Sequence, residues 1–333
     1  MDQYVAELCA VMTSDFYREG FGNTPMLKYE LKNGSIVYAK LEYFNLYGSI
    51  KDRGAFFMID HLLHTIKDLK KKTIVEGTSG NTGIATGNIC RKLGLKSILF
   101  IPPGTSQGTK DELYRSGAEV IETDEPKDTT STEKAINLAL DLAIKEPEKY
   151  VSLHQHGNEY NYLSHVYTTG PEAETQIGHL PDAVVIAMGT GGSIIGNSKY
   201  FKERNSKTGI YMLQSDQSSY IQGVRNFLKA KDKAIIEKNI SLVNKIVNVS
   251  EADAAKGVRK LADELEMYVG FSSGANFMGA INIGLNSDNM DVFTVFPDSG
   301  TKYNDLYLRK NIFNESEIRN LAPDVKRKRK EFI

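Results

Sequence analysis

Short runs of β-branched and apolar residues alternate with amphipathic stretches along nearly the whole chain. Nothing else in the sequence limits its fold as strongly. The strand-like runs are 35–43, 72–77, 96–102, 118–124, 150–153, 183–189, 209–215, 245–250 and 291–297. Between them, helical spacing is read at 80–94, 106–117, 131–146, 161–178, 193–205, 251–267 and 274–286. Continuously apolar strands that alternate with helices predict an α/β protein with mostly parallel sheets. At 333 residues the chain has the length of about two domains. The polar, aromatic segment 154–164, "HQHGNEYNYLS", is the expected crossing between two lobes.

In such folds ligands gather where strands end and helices begin. Four glycine-rich stretches sit at those junctions: "NLYGSIKDR" (45–53), "EGTSGNTG" (76–83), "MGTGGSIIG" (188–196) and "VGFSSGAN" (269–276). A fifth, "FPDSGTKY" (296–303), follows the last strand. In the third, Gly189, Thr190, Gly191, Gly192 and Ser193 join a buried strand to a helix. Backbone N–H groups of such a turn and the hydroxyls of Thr190 and Ser193 form a phosphate site. A plain strand-to-helix turn is the simpler reading. A dinucleotide site is a third, because Asp216 follows the next strand at the distance of a ribose-binding acid. Against it, Ile194 stands where the third fingerprint glycine belongs.

The bulk properties narrow the partners. The formal net charge is -1, and the basic run "KRKRK" (326–330) reads as a solvated tail, so nucleic acid is not an expected partner. Only Cys9 and Cys90 are present, which suggests a reducing compartment and no metal cluster. No run of about 18 apolar residues occurs, and the N-terminus lacks the marks of a signal peptide. A cytoplasmic protein without membrane contact is expected.

Lys51 is the unusual residue. Gly48 and Ser49 read as a helix entry, with Asp52 completing a capping-box-like start, so Lys51 falls in the first helical turn. The positive end of the helix dipole disfavours an ammonium there and lowers its pKa. Most lysines are solvated surface residues, but a neutral amine is what Schiff-base chemistry with an aldehyde requires. A phosphorylated aldehyde would use both the 189–193 loop and Lys51. Pyridoxal 5'-phosphate is such a molecule.

The motifs together resemble the cysteine synthase and cystathionine β-synthase group of fold-type II pyridoxal-phosphate enzymes. The resemblance runs from "GNTPM" (22–26) to "PDSGTKY" (297–303) and includes "HVYTTGPE" (165–172) and "FSSGA" (271–275), in family order. Leu46 stands where the family has proline. The resemblance implies two α/β lobes, 44–160 and 1–43 plus 161–333, with the cofactor in the cleft between them, and a homodimer. It implies that Lys51 carries the cofactor and then acts as the Cα base. It implies that Asn81 bonds the phenolic oxygen, Gly189 to Ser193 hold the phosphate, and Ser299 faces the pyridine nitrogen. Asp298 is the alternative at that nitrogen. Thr78, Ser79, Gly80 and Thr82, with Gln155, would bind the substrate carboxylate.

The implied reaction is β-replacement on an activated L-serine through α-aminoacrylate, with sulfide as nucleophile and L-cysteine as product. The donor is O-acetyl-L-serine or O-phospho-L-serine. "SYIQGVRNF" (219–227) resembles the segment of relatives that accept O-phosphoserine, and Arg225 would pair with the phosphate, unless it is a solvated helix arginine. His156, beside Gln155, stands where the sulfhydrylases have phenylalanine, and a structural role is its plainer reading. His154 and His156 are expected to share a strand face without a third metal ligand. The alternatives are an amino-acid nucleophile (a diaminopropionate- or cystathionine-type synthase), a serine or threonine dehydratase, and a binding module without turnover.

Overall fold

The computed structural model describes residues 3–126, 130–324 and 332–333. The "KRKRK" run lies outside them. The strands are β1 (Met26–Glu30), β2 (Ile36–Leu41), β3 (Thr73–Gly77), β4 (Lys96–Ile101), β5 (Glu119–Glu122), β6 (Tyr150–Ser152), β7 (Ala183–Ala187), β8 (Gly209–Ser215), β9 (Lys245–Val249) and β10 (Asp291–Phe296). The helices include α1 (Gln3–Arg18), α2 (Lys51–Thr65), α3 (Asn81–Leu93), α4 (Gln107–Arg115), α5 (Ser131–Lys145), α6 (Glu159–Ser164), α7 (Gly170–Ile177), α8 (Gly192–Arg204), α9 (Ala234–Glu237), α10 (Glu251–Leu265) and α11 (Phe271–Gly284).

Two sheets result. One has the order β5-β4-β3-β6 and is parallel throughout. The other has the order β1-β2-β10-β7-β8-β9, parallel except for the antiparallel β1–β2 pair. The sequence AVVIA of β7 is buried at every residue, as a central parallel strand must be when helices cover both faces. β1 was not among the expected strands. It is the edge of its sheet, and Lys28 and Glu30 point away from the core, so its hydrophobic signal is weak.

The helix expected at 161–178 is three pieces: α6, a π turn (His165–Thr169) and α7. Pro171 has no N–H to continue α-helical pairing into that turn. α5 lies directly on β3. A Cβ on Gly77 would fall 2.4 Å from the Ile136 backbone, so only glycine allows this approach. The C-terminal ends of β3, β7 and β10 and the N-terminus of α2 all open into one cleft of about 440 Å³.

Candidate active site

Lys51 is the first residue of α2, and its own N–H donates to Ser49 Oγ (3.2 Å). The Asp52 carboxylate accepts from the N–H of Tyr47 (2.6 Å) and from Ser49 Oγ (3.4 Å). Ile50 N–H reaches Pro297 O (2.8 Å), which ties this turn to the loop after β10. The lysine is therefore aimed by bonds on both sides. Burial pulls its amine down to about 8, and the nearby Asp298 carboxylate opposes that fall. Desolvation leads here, where the sequence suggested the helix dipole.

The loop after β7 faces the lysine. A Cβ on Gly189 would lie 3.8 Å from Lys51 Nζ and 3.1 Å from Gly223 O. Gly191 has φ +96°, a left-handed conformation that glycine adopts without strain. Asn161 Nδ2 donates to Thr190 Oγ1 (3.0 Å) and to Gln155 O (2.6 Å), so one amide clamps this loop to the crossing segment. Arg225 N–H bonds Met188 O (2.7 Å) and fixes the other side. Thr190 and Ser193 line the cleft at the start of α8.

The loop after β3 forms the opposite wall. Thr78 Oγ1 accepts from the N–H groups of Gly80 (3.2 Å) and Gly83 (3.0 Å) and closes the turn into α3. Thr82 Oγ1 donates to Gln155 Oε1 (2.7 Å). Gln155 Nε2 donates to Glu76 Oε1 (2.9 Å) and Gly77 O (3.3 Å). Asn81 Nδ2 donates to Asp298 Oδ2 (2.7 Å), and Asn81 Oδ1 accepts from Lys302 Nζ (2.7 Å). Asp298 Oδ2 also accepts from Tyr303 Oη (2.5 Å), while its buried Oδ1 has no hydrogen-bond partner among the described residues. Burial raises the Asp298 carboxyl, against Lys302, its two donors and Lys51.

At the rim, Arg225 Nη1 donates to His156 Nδ1 (2.8 Å) and to Asp232 O (2.8 Å), and its Nη2 lies 4.0 Å from Glu133. An arginine donor on Nδ1 places the imidazole proton on Nε2. Burial and then Arg225 hold the His156 pKa far below its usual range. His154 instead bonds Asp232 (3.2 Å), which raises it.

Most of the expected residues meet in this cleft: Lys51, Thr78, Ser79, Gly80, Asn81, Thr82, Gln155, Gly189, Thr190, Ser193 and Arg225 all line it. Ser299 does not. Residues 298 and 299 lie on an extended segment bridged to Ser49 and Val269, and successive side chains there face opposite ways. Asp298 points in, while Ser299 Oγ bonds Thr301 Oγ1 on an exposed side (2.8 Å). Ser272, within the "FSSGA" motif, lines the cleft and received no role in the sequence reading. Gln155 differs too: both of its N–H groups are engaged inside the protein. His154 and His156 share no strand face, because β6 ends at Ser152. Glu76, Asn161 and Lys302 were missed, since none stands out by spacing alone.

The donors fit a phosphorylated aldehyde: a buried amine of lowered basicity facing a glycine loop at a helix N-terminus. The chain matches the model of the pyridoxal-phosphate dependent enzyme family over residues 17–298, and it belongs to that family. It is 33% identical to cysteine synthase B of Escherichia coli over 300 residues, 89% of this chain and 95% of that one. A solved hydrogen sulfide-producing enzyme of Fusobacterium nucleatum is 28% identical with TM-score 0.78, covering 86% of this chain and 96% of the other. The O-acetylserine dependent cystathionine β-synthase of Helicobacter pylori is 28% identical with TM-score 0.76, covering 88% and 96%. Membership in this family sets the dinucleotide reading of Asp216 aside. Asp216 instead accepts from the N–H groups of Ser218 (3.0 Å) and Ser219 (2.7 Å).

Proposed function

We propose that this enzyme performs β-replacement on an activated L-serine, with sulfide as nucleophile and L-cysteine as product. The observation that carries the reading is the pairing of Lys51 Nζ with the Gly189 loop, in a cleft that the Thr78–Thr82 turn also lines. Pyridoxal phosphate held there supplies a carbonyl for the substrate amine and an electron sink for charge at Cα. Lys51 would hold the cofactor through its amine and would carry the Cα proton, a role suited by the burial that lowers that amine to about 8. Asn81 keeps a second Nδ2 hydrogen for the phenolic oxygen, because Asp298 and Lys302 occupy the rest of its amide. Thr190, Ser193 and the α8 N–H groups hold the phosphate. The Thr78–Thr82 turn would orient the substrate carboxylate.

Arg225 is read as the site of the leaving group, which favours O-phospho-L-serine as donor. Purified holoenzyme given O-phospho-L-serine or O-acetyl-L-serine and sulfide is expected to form L-cysteine. Steady pyruvate release unaffected by sulfide would make it a dehydratase instead. The relatedness to a cystathionine β-synthase supports a second reading, with an amino-acid nucleophile in place of sulfide. Homocysteine and glutamate as acceptors test it by product mass.

The lobe division at 44–160 fits this reading, with one sheet in each part, although α1 packs on α2 across it. Among the described residues no helix is long and apolar enough to cross a membrane. The free, buried Cys9 and Cys90 suit a cytoplasmic setting. A homodimer accords with the family, and sedimentation tests it.

A further inference from the structure

Glu76 is a buried titratable group beside this site, bonded to Gln155, with no part in the chemistry above. It is the last but one residue of β3, next to Gly77, is 2% exposed, and its Oε2 has no hydrogen-bond partner among the described residues. We propose that Glu76 is a proton-linked positioning residue: its protonation lets the Gln155 amide invert and frees the Thr82 hydroxyl to donate to a substrate carboxylate.

The hydrogen-bond count leads there. With Gln155 as placed, both Nε2 hydrogens go to Glu76 Oε1 and Gly77 O, and Oε1 takes the single Thr82 proton. Thr82 then offers the cleft only lone pairs, which repel a carboxylate. Inverting the amide turns Gln155 Nε2 toward Thr82 Oγ1 and releases the Thr82 proton to the cleft. It also turns Gln155 Oε1 against Gly77 O and Glu76. An ionised Glu76 forbids that arrangement, whereas a protonated one donates to Gln155 Oε1 and offsets the Gly77 contact.

The surroundings suit a switch near neutral pH. Burial pushes the Glu76 carboxyl up to about 7, against the Gln155 donors and the charge of His154. β4 sets Leu99 opposite Glu76, and α5 presents Ala135 and Ile136 at the adjoining Gly77, so His154 is the ionisable group acting on it from the packed elements. Carboxylate binding therefore takes up one proton, and affinity falls as pH rises through the Glu76 pKa, by up to about tenfold per unit.

This rests on the Thr78–Thr82 turn being the carboxylate site. The probe is propionate, which is ionised throughout and has no amine, tested as a competitor of the amino-acid donor on the holoenzyme from pH 5.5 to 8.5. The inhibition constant is expected to rise with pH in the wild type and in His154→Asn, a residue suited to the left-handed φ of 49° at that position. It is expected to be flat in Glu76→Gln. A flat wild-type profile, a slope kept in Glu76→Gln, or a slope lost in His154→Asn overturns the proposal. If Glu76→Gln does not fold, the other two profiles still decide. Absence of competition at every pH would instead remove the carboxylate site itself, and the proposal with it.

Discussion

Arg53 donates to both carboxylate oxygens of Glu172, at 2.7 and 2.8 Å, with both side chains buried. Glu42 takes two further bonds from the same guanidinium (2.6 and 2.8 Å), and Lys40 also reaches Glu172 (2.8 Å). The cluster joins α2, two residues beyond Lys51, to α7 and to the end of β2.

Truncating one member of such a cluster strands a buried charge. Glu172→Gln is expected to cost about 3–5 kcal/mol, read as a lower urea midpoint with unchanged slope. Although burial opposes it, Arg53 and Lys40 hold the Glu172 carboxyl well below the usual range. Its stabilisation is thus present above the unfolded-state pKa and is lost as pH falls through the folded one. As pH falls below 4.5, the ordinary glutamate value, the wild type should lose more stability than Glu172→Gln, and equal losses there would contradict the assignment.

The lowered Lys51 pKa makes a prediction for apoprotein. Reloading with pyridoxal phosphate requires the neutral amine, so its rate should rise about tenfold per pH unit below about 8 and level off above. Asp298→Asn removes the carboxylate that raises Lys51 and should move the half-rate point to lower pH. Stopped-flow absorbance measures both. Lys51→Ala should lose cofactor attachment and about three or more orders of magnitude in turnover. A half-rate point shifted upward in Asp298→Asn would refute the coupling.

The parallel α/β class and all nine expected strands were legible in the sequence, the central ones such as β7 because buried parallel strands are continuous apolar runs. The glycine loops were legible because close backbone approach leaves few other residues. What escaped detection depends on direction. Whether Asp298 or Ser299 points inward is decided by the pleat of one short extended segment, and no periodicity reports it. The engagement of Gln155 by Glu76 joins residues 79 positions apart. Edge strand β1 exposes Lys28 and Glu30, two of its five residues, so its pattern is dilute.

Arg225 offers the clearest test of donor choice. Its bonds to His156 and the Asp232 carbonyl orient the guanidinium at the cleft wall. A hydrogen bond between charged groups is worth about 1.5–3 kcal/mol, so Arg225→Gln should lower kcat/KM for O-phospho-L-serine about 10–150-fold. O-acetyl-L-serine, lacking the dianion, should change by less than about threefold. Equal losses on both donors would make Arg225 a structural residue of the rim.

Asn161 gives the phosphate loop a mechanical test. A Cβ on Gly192 would lie 2.2 Å from Asn161 Oδ1 and 3.0 Å from its Nδ2, so Gly192→Ala must push that amide aside. The bonds to Thr190 Oγ1 and Gln155 O then weaken together, and the phosphate and carboxylate walls loosen at once. Loss of one such bond is worth about 1 kcal/mol, so cofactor affinity should fall about five- to thirtyfold. Asn161→Ala combined with Gly192→Ala should cost little more than either change alone, because both break the same contact. Cofactor release followed by absorbance after dilution measures all three variants, and additive losses would show that Asn161 and Gly192 act separately.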